Sequence, residues 1–201
     1  MSTSLIYRSA RGYELLMRTL YGRHYVARMR AVADQVPQGS SVLELCCGPG
    51  TLYTRFLSER TSSYIGVDAN KGFVSKLRTR GIDARRIDLA TDNQPLPTAE
   101  VALIQASLYH FLPAPSPIIE RMLDAASERV IVSEPIRNLS SSSLPGLGLV
   151  SRRATNAGVE HSADRFDEPM LDALMSSYSE LVTTSFQIPG GREKVYVLRA
   201  R

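Results

Sequence analysis

Two carboxylates set against a pair of glycines carry the first chemical signal in this chain. Over 42–50, Val-Leu-Glu-Leu-Cys-Cys-Gly-Pro-Gly, an apolar run bearing an acid at Glu44 stops at Gly48 and Gly50. Twenty residues after Gly48, a second apolar run (Tyr64, Ile65, Gly66, Val67) ends on Asp68. At this spacing a doubly wound sheet presents a carboxylate to the ribose of a nucleotide-type cofactor. A dinucleotide fingerprint, G-x-G-x-x-G, needs a third glycine so that the helix packs close to the strand and its N-terminus receives a pyrophosphate. Tyr53 stands in that place, and the turn lacks the lysine of a phosphate-cradling loop. The loop therefore suits a ligand without a pyrophosphate.

The elements that must position these residues alternate along the chain. Apolar residues between 5 and 36 (Leu15, Leu16, Leu20, Tyr21, Tyr25, Met29, Val32) recur at helical intervals, with Gly22 as a break between two helices and Pro37 and Gly39 as the stop. A strand over 41–46 leads to a helix over 51–60, and a second strand ends at Asp68. Asn70 is the expected N-cap of a helix through Arg80 that Gly81 terminates, and 82–88 reads as the third strand. The near-continuous apolar run 101–107 suits a central parallel strand buried on both faces. Ser116 and Pro117 start a helix to about 127, and 129–134 is a fifth strand. Such alternation specifies a doubly wound α/β sheet, with ligands at the carboxyl ends of its strands. The Ser-, Gly- and Arg-rich stretch 139–166 reads as an ordered loop or lid. A helix over 167–178 and strands over 181–188 and 193–199, joined at Pro189-Gly190-Gly191, complete the pattern as a terminal hairpin. One domain is expected over 1–201, with 1–38 a helical lid and 39–201 the core.

Composition narrows the setting. At 201 residues with 43% hydrophobic and 22% charged residues, the chain is ordinary for a globular protein, and no apolar run reaches the roughly 20 residues that span a bilayer. Tyr7, Arg8, Arg11 and Glu14 interrupt any signal-peptide core, so a cytoplasmic location and no membrane association are expected. Cys46 and Cys47 are adjacent in a strand, where neighbouring side chains point to opposite faces, so a disulfide is not expected. With no histidine nearby they also make a poor zinc site, and no metal is expected. The net charge of +4 comes mainly from arginine. Arg8, Arg11, Arg18, Arg23, Arg28 and Arg30 either attract an anionic substrate or form a solvated helical face; without a dense basic run interleaved with aromatics, nucleic acid is a minority option.

With Glu44, Gly48, Gly50 and Asp68 in these contexts, the chain resembles the class I S-adenosylmethionine-dependent methyltransferases over about 40–200. Cys46 takes the place of the first glycine in that family's acid-x-G-x-G-x-G motif. The resemblance implies a mostly parallel seven-stranded sheet of order 3-2-1-4-5-7-6 with strand 7 antiparallel, preceded by lid helices. It implies S-adenosyl-L-methionine as cofactor, with Glu44, Cys46, Gly48 and Gly50 forming the loop at its methionine part and Asp68 accepting both ribose hydroxyls. By the same resemblance Ala69, Asp88 and Leu89 surround the adenine, Gln105 and Ala106 border the methionine part, and Tyr13 belongs to the lid. Asp88 could equally cap a turn, and Gln105 could pair with a neighbouring loop.

Methyl transfer from a sulfonium releases a neutral leaving group, so much of its rate can come from positioning alone. Where the acceptor must lose a proton, His110, in a Leu-x-His context after the fourth strand, is the candidate base or substrate contact; the alternative is that it orders its loop. Glu134, before Pro135, either binds or deprotonates substrate or accepts loop amides. The expected acceptor is a small molecule; RNA and a non-catalytic, cofactor-binding regulatory module are the alternatives, and the state is monomer or homodimer.

Overall fold

In the computed structural model, residues 24–137 and 165–201 are described. The strands are β1 (Ser41–Leu45), β2 (Ser63–Asp68), β3 (Ala84–Arg86), β4 (Ala99–Gln105), β5 (Ala126–Pro135), β6 (Val182–Gln187) and β7 (Glu193–Arg199). They form one sheet of order β3-β2-β1-β4-β5-β7-β6. Pairing is parallel from β3 through β5, whereas β7 runs antiparallel to both β5 and β6. This is the doubly wound architecture and strand order expected from the sequence.

Helices α1 (His24–Ala33), α2 (Lys71–Arg78), α3 (Ser116–Ala125) and α4 (Glu168–Ser176) cover the sheet. On one face Leu43, Leu45, Ala102, Ile104, Val130 and Val132 pack with Ile118, Ile119 and Met122 of α3 and Leu171 and Met175 of α4. On the other, Val42, Val101, Leu103, Ile131 and Val197 pack with Tyr25, Met29 and Val32 of α1. The alternation of these sets along β1, β4 and β5 follows from the two-residue period of a strand. Because both faces are covered, the central strands read as continuous apolar runs.

Local signals place the helix starts. The Asn70 side chain accepts from the Gly72 and Phe73 amides and caps α2; Asp167 accepts from Met170 and caps α4; Pro117 sits in the first turn of α3. Several bounds differ from expectation. β3 ends at Arg86, two residues before Asp88, whose carbonyl accepts the Thr91 and Asp92 amides of a turn. β5 begins at Ala126, directly after α3, so the helix stops short of 127. The expected helix over 51–60 contains a π-helical turn, Tyr53–Leu57. Tyr53 stacks on Tyr64 of β2 with ring centroids 3.9 Å apart, so a bulky contact replaces the close helix–strand approach that a third glycine would permit. Arg28, counted with the basic N-terminal face, is 4% exposed and ion-paired in the interior. The Gly22 break, Tyr13, the other arginines before His24 and most of the 139–166 stretch lie outside the described residues. No described helix is long and apolar enough to cross a membrane.

Candidate functional site

The sheet order reverses between β1 and β4, and a crevice opens where their chains leave in opposite directions. Each exit begins with a residue in the left-handed region, Cys46 at φ 52° and Ala106 at φ 51°. Among the described residues no other non-glycine residue has a positive φ. Left-handed backbone costs an L-residue roughly 1–2 kcal/mol, so both turns must be held by their surroundings.

At the first exit the holder is Asp68. Its Oδ2 accepts the Gly48 amide at 2.8 Å and its Oδ1 accepts the Asn70 amide at 2.7 Å, joining the β1 and β2 loops. Each oxygen keeps a lone pair, so the carboxylate can still accept two hydroxyl donors. Burial raises its pKa above the ordinary carboxylate value, and the two amides act against that rise. The two loop glycines do different work. A Cβ at Gly48 would meet nothing within 4 Å, so this turn borders open space; a Cβ at Gly50 would strike Leu77 Cδ2 of α2 at 2.6 Å.

Beneath the loop, Glu44 is 5% exposed and its Oε2 accepts the Tyr64 hydroxyl at 2.7 Å. Burial pushes its carboxyl up to about 8 against the pull of that hydroxyl. Glu44 thus fixes the ring on which Tyr53 stacks. Cys46 and Cys47 are free thiols, both pushed up foremost by burial, and so are poor nucleophiles. Ala69 is exposed just beyond Asp68. Asp88 is exposed too, and its Oδ1 accepts the Ala90 amide at 3.2 Å, the turn role open to it in the sequence; Leu89 beside it is buried.

At the second exit the holder is Glu134. Its Oε1 accepts the Ser107 amide at 2.6 Å and the Leu108 amide at 2.5 Å, and the Ala106 amide donates to the Ser133 carbonyl at 2.7 Å. Glu134 is fully buried, its Oε2 has no hydrogen-bond partner, and burial pushes its pKa up to about 8. Gln105 turns to the opposite face, where its Nε2 donates to Glu193 Oε1 at 3.0 Å and to the Arg28 carbonyl at 3.3 Å. His110 follows in a 3-10 turn, Leu108–Phe111. Its ring is open to solvent on one side and tilts on Tyr109 at 4.0 Å, while the Arg165 guanidinium lies 3.5 Å from the Tyr109 ring centroid. Desolvation by the surrounding protein, and then the Arg165 charge, push the His110 pKa down to about 4, so it is neutral at pH 7 and a weak base.

Of the residues predicted from sequence, the structure gathers Glu44, Cys46, Gly48, Gly50, Asp68 and Ala69 at one exit and Gln105, Ala106, His110 and Glu134 at the other. Asp88 and Leu89 follow the edge strand β3. Sequence reasoning missed Tyr64, Ser133, Arg165 and the pair Arg28–Glu193. Arg28 left a signal: it falls at the helical spacing of Tyr25, Met29 and Val32, on the apolar face of α1. Among the described residues no three His, Cys, Asp or Glu side chains gather as metal ligands.

The fold recurs in solved methyltransferases. Magnesium protoporphyrin IX methyltransferase from Synechocystis PCC 6803 with bound SAH superposes with a TM-score of 0.64 at 16% identity, covering 97% of this chain and 96% of its own. The N-methyltransferase NodS from Bradyrhizobium japonicum WM9, in complex with S-adenosyl-L-homocysteine, gives 0.63 at 12% identity over 97% and 94%. A SAM-dependent methyltransferase from Aquifex aeolicus gives 0.58 at 11% identity over 93% and 98%. No curated relative matches the chain by sequence. The family described as methionine biosynthesis protein MetW matches residues 27–139, a stretch that holds both exits of the crevice, and the chain belongs to that family, built on the class I methyltransferase fold.

Proposed function

We propose that this protein is an S-adenosylmethionine-dependent methyltransferase acting on a small molecule. The observation that carries the reading is the first exit: a carboxylate, Asp68, with acceptor capacity left, beside a glycine turn that borders open space. That acceptor beside an open turn fits a nucleoside with two ribose hydroxyls and no pyrophosphate. Asp68 takes the ribose; Ala69, Asp88 and Leu89 flank the base; Gly48 and Gly50, shaped by Glu44 and Cys46, together with Gln105 and Ala106, surround the methionine part, with Tyr13 on the lid. When bound, S-adenosylmethionine supplies an electrophilic methyl on a sulfonium that departs as a neutral thioether.

The chain's own contribution is then largely orientation, which can supply up to about 7–11 kcal/mol of barrier reduction. His110, neutral at pH 7, is the base or substrate contact for a hydroxyl, phenol or ammonium acceptor. Of the roles open to Glu134, accepting the Ser107 and Leu108 amides is the one its geometry supports, and it acts by fixing the loop that carries His110. Burial of Arg28 removes one arginine from the surface an RNA would need, which weighs against the RNA alternative.

Calorimetric titration with S-adenosylhomocysteine, with NAD as control, tests the proposal. Micromolar or tighter binding that disappears in Asp68→Ala is the expected result. Absence of binding to the native protein removes the cofactor assignment; tight binding with no methylated product across a broad acceptor panel moves the protein to a non-catalytic regulatory role.

A further inference from the structure

We propose that the buried ion pair Arg28–Glu193 is a positioning device that fastens the N-terminal helix α1 to the β4 exit and sets the methionine end of the cofactor crevice. The inference rests on the S-adenosylmethionine reading above. Glu193 stands at the first position of β7 and Arg28 in the middle of α1, 165 residues apart, and they are 2% and 4% exposed. Arg28 Nε donates to Glu193 Oε2 at 2.6 Å, and its Nη2 donates to Oε1 at 3.3 Å. The same Oε1 accepts the Ser133 hydroxyl at 2.6 Å and the Gln105 amide group at 3.0 Å. One carboxylate therefore ties together α1, β4, β5 and β7.

The two residues it grips beside Arg28 sit where the crevice loop is determined. Gln105 immediately precedes the left-handed Ala106, and the Ser133 carbonyl accepts the Ala106 amide. The following amides, Ser107 and Leu108, go to Glu134 on the other face of the sheet. The turn is thus held from both faces, by Glu134 below α3 and α4 and by the Arg28–Glu193 cluster below α1. Burial works to raise the Glu193 pKa, but Arg28 and the hydroxyl and amide donors keep it below the ordinary carboxylate range, so the pair stays charged.

Stability alone does not account for such a pair. Removing two charges from water is offset only in part by their attraction, and apolar residues of similar volume at such sites are often as stable or more so. What the ion pair adds is direction: four donors converge on one carboxylate in one geometry. Any movement of α1 is thereby transmitted to Gln105 and the turn after it.

The experiment compares two ligands, S-adenosylhomocysteine and methylthioadenosine, which lacks the amino-acid part. Native protein is titrated with both, followed by Glu193→Gln and by the double variant Arg28→Met, Glu193→Gln, which leaves no buried charge and retains an acceptor for Ser133 and Gln105. The expected result is about a tenfold loss of S-adenosylhomocysteine affinity in both variants with methylthioadenosine affinity unchanged, because only the end bordered by β4 loses its preorganisation. Equal losses for both ligands, or a return of native affinity in the double variant together with its melting temperature, would show a merely structural pair and overturn the inference. Should the charge variants unfold, Ser133→Ala leaves the pair whole and cuts its link to β5 beside the Ala106 turn, with the same expectation and the same contrary result. If the native protein binds neither ligand, it is the cofactor reading that fails.

Discussion

The two exits of the crevice are built on one plan and finished differently. In each, a strand end turns through a left-handed non-glycine residue, and a carboxylate from the next strand outward captures that turn by its backbone: Asp68 of β2 takes one amide of the β1 loop, Glu134 of β5 takes two of the β4 loop. Asp68 is half-exposed and uses one lone pair on each oxygen, which leaves it open to a ligand. Glu134 is sealed, with both amides on one oxygen and the other without a partner. On the function proposed above, two carboxylates in equivalent places thus divide the labour, one binding and the other holding, and burial makes the division.

The sharpest way to break this comparison is to remove each carboxylate in turn. Asp68→Ala should lower S-adenosylhomocysteine affinity by more than about 100-fold, since hydrogen bonds to a charged group contribute about 1.5–3 kcal/mol each and two are lost. Glu134→Ala should act the other way round. It strands two amides of the β4 turn, at about 1–3 kcal/mol each where they are shielded from water, so chemical denaturation should show a loss of about 2–6 kcal/mol and calorimetry a smaller fall in affinity. If Glu134→Ala destroyed binding while leaving stability intact, the division of labour would be wrong.

A subtler test uses pH. Burial raises both Glu134 and Glu44 to about 8 in the folded chain, well above the ordinary value of 4.5. Between these values the unfolded state has released protons that the native state still holds, so native stability falls as pH rises from about 5 to 8, by at most about 1.4 kcal/mol per pH unit for each group. Glu134→Gln keeps an acceptor for the Ser107 and Leu108 amides and cannot ionise. Its melting temperature should match native protein near pH 5 and exceed it near pH 8. Asp68 shifts in the same direction, but on the proposed function its remaining lone pairs take the ribose hydroxyls, so its protonation should appear as weaker S-adenosylhomocysteine binding in mildly acidic buffer.

This asymmetry marks how much was legible in the sequence. Glu44, Gly48, Gly50 and Asp68 announced the first exit because glycines and strand-end acids have few other uses at that spacing. The doubly wound sheet and terminal hairpin followed from the alternation of apolar runs and turn residues, and the strand order from the resemblance to the methyltransferase class. The second exit was named only by its residues. That Glu134 takes two amides, and that Gln105 faces α1, depends on which side of β4 and β5 each side chain occupies, and the register with β7 settles this through pairings such as Pro135 with Glu193. Such long-range register leaves little trace in local sequence. The π-helical turn at Tyr53 was hidden for a related reason: it rests on a stack with Tyr64 in another strand.

The smallest expected effect separates the two turns themselves. Replacing a left-handed residue by glycine relieves roughly 1–2 kcal/mol of backbone strain but gives back about 0.5–1 kcal/mol through the added freedom of the unfolded chain. At Ala106 only a methyl group is lost, so Ala106→Gly should raise stability by up to about 1 kcal/mol. At Cys46 the side chain also packs against the core on the α3 and α4 side of the sheet, and its loss forfeits burial that glycine cannot replace. Cys46→Gly, although it restores the glycine that the related motif carries there, should therefore stay within about 0.5 kcal/mol of native protein in denaturant titration. A gain at Cys46 as large as at Ala106 would mean that its thiol contributes nothing to packing and that the two turns are alike in strain and surroundings.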